Sequence, residues 1–286
     1  MMQIEECYWK SAKSVQLYGK IHIPDGELSA FVIMVHGIGE HSGCYDEWAE
    51  RFALQSVGFV VFDLRGHGHS PGIRGHAVIR LIKDDLRTII KSVRDRFPSI
   101  PVVLFGYSMG GNIVLSYVIE KDVELQGIIV SSPWLKLVHP PLPLLVWLVK
   151  WLSHIMPWLT VRTGIKADQL SHDGMEMKST KTDPLLHKKI SIKLFSDLRK
   201  NSEMILHNKY RLNIPLLLMH GTADPLTSYQ TSKSFAQNAK GNVTFKEWQG
   251  MRHDLLNGAG NEVVFQYVME WLMEKIIKNG AVQNNS

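Results

Sequence analysis

Short apolar runs rich in β-branched and aromatic residues recur along the first half of the chain. Between them lie stretches whose apolar residues return every three or four positions. Residues 15–22, 31–35, 59–62, 101–105 and 127–130 read as strands, several of them apolar throughout, as in strands covered on both faces. Residues 45–55, 78–97 and 111–119 read as helices, the second ended by Pro98. This alternation predicts a mostly parallel sheet with helices on both faces. The rhythm stops at Ser131-Ser132-Pro133. Residues 134–207 contain no convincing strand and are rich in Trp, Met, Pro and Lys. Strand and helix then resume at 214–219, 227–239, 243–248 and 263–277, followed by a polar tail from Asn279 that is expected to fray. The expectation is a core in two pieces, 1–133 and 208–286, with a helical cap, 134–207, inserted between them.

The longest apolar stretch, 141–161, invites comparison with a membrane span. Lys150 and His154 interrupt it, Pro141, Pro143 and Pro157 break it, and the sheet resumes beyond it, so a helix with one apolar face is the better reading. Leu144, Trp147, Leu148, Trp151, Leu152 and Ile155 fall on that face.

At 286 residues, 45% hydrophobic and 21% charged, the chain has the makings of one large globular α/β domain with an insertion. The net charge of +5 comes without an Arg/Lys stripe interleaved with aromatics, which argues against nucleic acid as a partner. An anionic lipid surface and a merely solvated basic surface both remain open. Cys7 and Cys44 have neither disulfide-framework nor metal-ligand spacing, and the acidic N-terminus lacks the features of a secretory signal. The cytoplasm is the expected compartment, with peripheral membrane contact through the cap.

One segment carries the chemistry. Gly106-Tyr107-Ser108-Met109-Gly110 sits between the strand at 101–105 and the helix at 111–119, a strand-to-helix corner tight enough to need small neighbours and to expose a serine nucleophile. A serine hydroxyl needs a base, and the base a carboxylate to hold its tautomer. Catalytic groups of such sheets lie past the C-terminal ends of strands. Two loops there qualify: His220-Gly221-Thr222-Ala223-Asp224 and Gly250-Met251-Arg252-His253-Asp254. Asp224 alone could be a helix N-cap, and His253 alone a solvent-facing loop residue. Their joint order, Ser108, Asp224, His253, selects them as acid and base. The oxyanion needs two aimed backbone donors. Met109 N–H follows the nucleophile, and Ile38 N–H lies in the Gly-containing loop 36–43 after the strand at 31–35.

Taken together, the loop 36–43 (HGIGEHSG), Asp63-Leu64-Arg65-Gly66-His67-Gly68-His69-Ser70, Gly106 to Gly111, His220 to Asp224, and His253-Asp254 resemble the monoacylglycerol lipase and lysophospholipase family of α/β-hydrolases. The resemblance spans residues 16–275. It implies the α/β-hydrolase fold with a cap after the sixth strand, Ser108 as nucleophile, Asp224 as acid, His253 as base, and Ile38 and Met109 as oxyanion donors. No cofactor and no metal are implied. The mammalian enzymes carry a cysteine three residues after the acid, where this chain has Thr227, which points to a distant, microbial member.

Asp63, Arg65, His67 and His69 read better as a loop-bracing network than as a metal cluster. His36 and His41 are expected to orient the oxyanion loop, and Cys44 to be a small packed residue. The expected activity is cleavage of a single-chain lipid ester, monoacylglycerol or lysophospholipid, through an acyl-enzyme. Trp147, Leu148 and Trp151 would then meet the acyl tail; the other reading has them packing the cap onto the core. A peptidase of the proline-iminopeptidase type, with Asp168, Asp173 or Glu176 anchoring a peptide terminus, a thioesterase or acyltransferase, and a non-catalytic receptor on the same fold are the rival readings. Head-group preference and oligomeric state are not written in the residues.

Overall fold

The computed structural model describes residues 2–11, 14–120, 124–171, 182–207, 211–258 and 260–278. Eight strands form one twisted sheet: β1 (Met2–Lys10), β2 (Gln16–Pro24), β3 (Ala30–Val35), β4 (Val57–Phe62), β5 (Val102–Tyr107), β6 (Gly127–Ser131), β9 (Arg211–Gly221) and β10 (Lys240–Trp248). Their order is β1-β2-β4-β3-β5-β6-β9-β10. From β4 to β10 every pairing is parallel, whereas β1–β2 and β2–β4 are antiparallel.

The central strands are apolar at nearly every position because both faces are covered. Side chains alternate between two cores. Phe31, Ile33 and Val35 of β3 join Leu104 of β5 on one side of the sheet, and Ala30, Val32 and Met34 join Phe105 on the other. Three helices cover the first face: α2 (Ile79–Arg96), α3 (Met109–Glu120) and α5 (Ile192–His207). Against the second face lie α1 (Asp46–Leu54) and α7 (Asn261–Leu272), with Trp48, Phe52, Phe265 and Val268 buried. A further helix, α6 (Tyr229–Asn238), starts from the N-cap Ser228, whose side chain accepts from Thr231 N–H.

Between β6 and β9 run α4 (Pro143–Ile155) and a two-stranded antiparallel ribbon, β7 (Thr160–Arg162) with β8 (Lys189–Ser191), before α5. The ribbon corrects the expectation that 134–207 holds no strand. Its strands are three residues long and meet across a long stretch of chain, so no local alternation announces them. β1 was also missed. It is an edge strand with only Trp9 buried, so it lacks the apolar face that marks a strand in sequence.

The latter part of this insertion is bound into the core. Leu194, Leu198 and Ile205 of α5 belong to the same buried cluster as Ile113 and Leu115 of α3. By contrast, α4 buries only Ser153. Among the described residues no helix is long and apolar enough to cross a membrane. Asp173, Glu176 and the tail from Asn279 lie outside the described residues.

Candidate active site

Ser108 occupies the corner between β5 and α3 with φ 54°, a left-handed conformation that costs energy in a residue with a Cβ. Three backbone hydrogen bonds hold it there. Ser108 N–H donates to Ser131 O at 3.0 Å, and Ser108 O accepts from Trp134 N at 3.0 Å and Asn112 N at 3.2 Å. The small residues of the motif follow from close backbone approach. A Cβ on Gly110 would lie 1.9 Å from Val35 O, so the helix can start against β3 only with glycine there.

His253 Nε2 lies 2.9 Å from Ser108 Oγ, and His253 Nδ1 lies 2.7 Å from Asp224 Oδ2. With Nδ1–H donated to a carboxylate, Nε2 is left as the acceptor facing the hydroxyl. Ser108, Asp224 and His253 are all buried. Burial alone would drive the His253 pKa down. The charge of Asp224 and its hydrogen bond, with the charges of Asp254 and Glu40, outweigh it and hold His253 above the ordinary 6.5.

Asp224 is held by more than His253. Its Oδ1 accepts from Leu226 N at 2.7 Å and Thr227 N at 3.0 Å, and its Oδ2 from Thr227 Oγ1 at 2.8 Å and His220 Nε2 at 3.0 Å. His220 Nδ1 in turn accepts from Ser232 Oγ at 2.9 Å. Burial opposes the charge, but the two histidines and their hydrogen bonds keep the carboxyl far below its usual range. The turn bonds of the N-cap type therefore coexist with the bond to His253. Sequence reading placed His220 in a motif without giving it a role; its spacing of four from Asp224, at the end of a strand, was the available signal. Thr227, noted only as a departure from the mammalian pattern, is a donor to the acid.

Beside Ser108 lie the other two predicted positions. Met109 N–H opens α3, where a helix leaves its first amides without partners and its dipole favours negative charge. Ile38 lies on the loop after β3 and lines the space around Ser108. Neither amide meets an acceptor among the described residues. His36 braces that loop, with Nδ1–H on Gly37 O at 2.7 Å and Nε2 accepting from Leu64 N at 3.1 Å. Burial lowers its pKa to about 4, so it stays neutral. Glu40 Oε2 accepts from Gly37 N at 2.7 Å and Tyr45 Oη at 2.6 Å. Burial and the charge of Asp254 raise its pKa to about 7. His41 Nε2 meets Asp183 Oδ2 of the insertion at 2.8 Å.

Asp63 accepts from Ser42 N and His69 N, both at 2.6 Å, and Arg65 forms a bidentate pair with Asp85. Among the described residues no group of three or more His, Cys, Asp or Glu could hold a metal ion. Cys44 is half-buried and lines the cleft beside the loop.

Two cavities meet at Ser108 and His253. One, of about 620 Å³, is walled by Trp134, Leu145, Leu148, Leu152, Ile190 and Phe195 and has no Asp or Glu among its described lining residues. The other, of about 990 Å³, is the more polar of the two, lined in part by Glu40, Glu47, Arg74, Asp183, Lys188 and Lys189, and Arg162 borders both. Leu148 thus faces the first cavity. Trp147 and Trp151 line neither and are 63% and 54% exposed. Asp168 is exposed and lines neither cavity.

The serine aminopeptidase S33 family (Hydrolase_4) matches residues 26–259. An uncharacterized abhydrolase domain-containing protein of Dictyostelium discoideum is 32% identical over 261 residues, covering 90% of this chain but only 28% of the length of that protein. A monoacylglycerol lipase of Mycolicibacterium smegmatis is 28% identical over 265 residues, covering 92% of this chain and 94% of that protein. The crystal structure of Paleococcus ferrophilus monoacylglycerol lipase matches with a TM-score of 0.82 at 31% identity, covering 90% of this chain and 98% of the other.

Proposed function

The chain belongs to the Hydrolase_4 (serine aminopeptidase, S33) family and has the α/β-hydrolase fold, and from that premise we propose that it is a serine hydrolase of single-chain lipid esters. The observation that carries the reading is the pair of cavities at Ser108. A lipid ester joins an apolar chain to a polar alcohol at one carbonyl, and here an apolar space and a more polar, charge-bearing one meet at one serine. Residues 134–207 act as the cap that supplies the apolar wall, and the exposed apolar residues of α4 rest on a membrane surface.

In this mechanism Ser108 Oγ attacks the ester carbonyl while His253 Nε2 takes its proton. Asp224 steadies the imidazolium that forms. The oxyanion accepts from Ile38 and Met109 N–H. Collapse of the tetrahedral intermediate breaks the C–O bond, and His253 returns the proton to the departing alcohol. Water, deprotonated by His253, then attacks the acyl-enzyme and releases the fatty acid together with free Ser108.

An aminopeptidase would need a free carboxylate for the peptide's amino terminus. Among the described residues the apolar cavity has none, and those of the more polar cavity are engaged: Glu40 by Gly37 and Tyr45, Glu47 by Arg51, Asp183 by His41. The test is fluorophosphonate labelling followed by a hydrolysis panel. Labelling at Ser108 and cleavage of monoacylglycerols or lysophospholipids over aminoacyl-naphthylamides and acyl-CoA is the expected result. No labelling indicates a receptor, and a preference for the amides indicates a peptidase. Transfer of the acyl group to glycerol in preference to water indicates an acyltransferase.

A further inference from the structure

If the acyl chain lies along α4, the alcohol half of the ester leaves into the polar cleft, and that cleft carries an unbalanced group of cations. Arg162 and Lys189 are directly opposite one another in the β7–β8 register, where like charges repel and weaken the pairing. Arg74 is brought beside them by its own loop. The Lys189 carbonyl is so close to Gly75 that a Cβ there would lie 2.3 Å from it, and Ser191 N donates to Gly75 O at 2.8 Å. Lys188 lines the same cleft.

None of these four cations has an ion-pair partner among the described residues, and the carboxylates of the cleft have partners of their own. Arg74 Nη1 is moreover buried without a hydrogen-bond acceptor among the described residues, an arrangement that costs stability until an acceptor arrives. Like charges held together and a buried unmet donor call for one kind of occupant, a compact anion with several oxygens. The guanidinium fork of Arg74 suits two oxygens of a phosphate, and the anion screens Arg162 from Lys189. A neutral glycerol could meet the orphan donor but would leave the like-charged pair uncompensated.

We propose that the polar cleft is a subsite for a phosphate group carried on the alcohol half of the substrate, so that single-chain lipid esters with a phosphate-bearing headgroup are taken over neutral monoacylglycerols. The proposal rests on the esterase reading of Ser108. Its test compares kcat/KM for 1-palmitoyl-lysophosphatidylglycerol and 1-palmitoylglycerol in the same neutral mixed micelles, for the wild type, Arg74→Gln, Arg74→Lys and Arg162→Gln. The wild type should prefer the phosphate ester. That preference should fall about 10-fold or more in each Gln variant, in keeping with a lost charge-assisted hydrogen bond, and less in Arg74→Lys. Arg162 is exposed, so its variant serves if Arg74→Gln fails to fold.

Hexadecyl phosphate, which has no ester, should inhibit the wild type more strongly than the Gln variants. If inorganic phosphate competes as well as hexadecyl phosphate, the site binds free phosphate and the headgroup assignment is overturned. An unchanged substrate ratio in folded Arg74→Gln and Arg162→Gln, with 1-palmitoylglycerol still cleaved by the wild type, removes the phosphate subsite alone. Failure of the wild type to cleave either lipid or to label with fluorophosphonate removes the esterase reading and this one with it.

Discussion

α4 turns its apolar residues in two directions, and the two faces can be separated by mutation. Leu145, Leu148 and Leu152 line the cavity beside Ser108, whereas Trp147 and Trp151 do not. Leu145→Ala/Leu148→Ala should therefore weaken the hold on an acyl tail. If the tail loses contact over two or three methylenes at ~0.8 kcal/mol each, about 2 kcal/mol is forfeited, or ~30-fold in kcat/KM. Trp147→Ser/Trp151→Ser should act elsewhere. With each side chain offering ~200 Å² and more than half of it exposed, the pair presents on the order of 230 Å² to an interface. Insertion of about half of that area is worth ~3 kcal/mol, or roughly 100-fold in vesicle partitioning.

The assay uses p-nitrophenyl esters from acetate to decanoate below their micellar concentrations, with the acetate rate as the baseline for each variant. Vesicle sedimentation is run in parallel. The leucine variant should flatten the rise of kcat/KM with chain length and still bind vesicles. The tryptophan variant should keep the chain-length profile and lose vesicle binding. If both variants lose both properties in step with their melting temperatures, the α4 residues are packing residues and the two-faced assignment is wrong.

Ser108→Ala and His253→Ala should each reduce turnover on the order of 10⁶-fold, read as initial rates on p-nitrophenyl acetate; a few per cent of residual activity would point to another nucleophile or base. Because the base must be neutral and His253 is held above 6.5, activity should climb with pH through a midpoint above that value. Glu40 adds to the raised pKa of His253 once ionised, so Glu40→Gln should move the limb to lower pH, and a shift the other way refutes the coupling. Thr227→Val removes the hydroxyl donor to Asp224 and should lower kcat about 5- to 10-fold, the worth of one such bond, while Thr227→Ser should recover most of it. Equal rates in the two variants would make that hydroxyl a bystander.

What could be read from the residues was mostly what is local. The elbow at 106–110 is legible because strand, tight turn and helix follow one another within twenty or so residues, each with its own periodicity. Ser108, His253 and Asp224 could be selected by chain order, and the structure brings them within hydrogen-bond reach. What escaped was assembled from distant pieces. β7 and β8 are too short to show a period, and β1 has only Trp9 to bury. On α4 the 3.6-residue period marked a broad apolar stripe, but only the path of the chain around it decides that Leu148 faces the cavity and Trp147 does not. Arg74, Arg162 and Lys189 come from three separate segments, so no spacing could have grouped them.

The insertion that supplies most of the apolar wall and part of the other also grips the loop that carries the proposed oxyanion donor. His187 N–H donates to Gly39 O at 3.0 Å, one residue beyond Ile38, and His187 Nε2–H reaches Gly66 O at 3.3 Å. The His41–Asp183 contact is a second tie to the Ile38 loop, the Gly66 bond going to the neighbouring loop 63–70, and Gly39 is so close to His187 O that a Cβ would lie 1.9 Å away. At about 1 kcal/mol for each hydrogen bond, lifting this segment off the loop would cost ~2 kcal/mol and leave Ile38 braced by His36 and Glu40 alone. The core supplies the proposed nucleophile, base and acid from its own strand ends, whereas most of the apolar wall and three of the four cations, Arg162, Lys188 and Lys189, come from the insertion. Changing substrate class on this scaffold therefore means rebuilding the insertion without pulling its ties from Gly39 and His41, a tighter constraint than an exposed surface loop would impose.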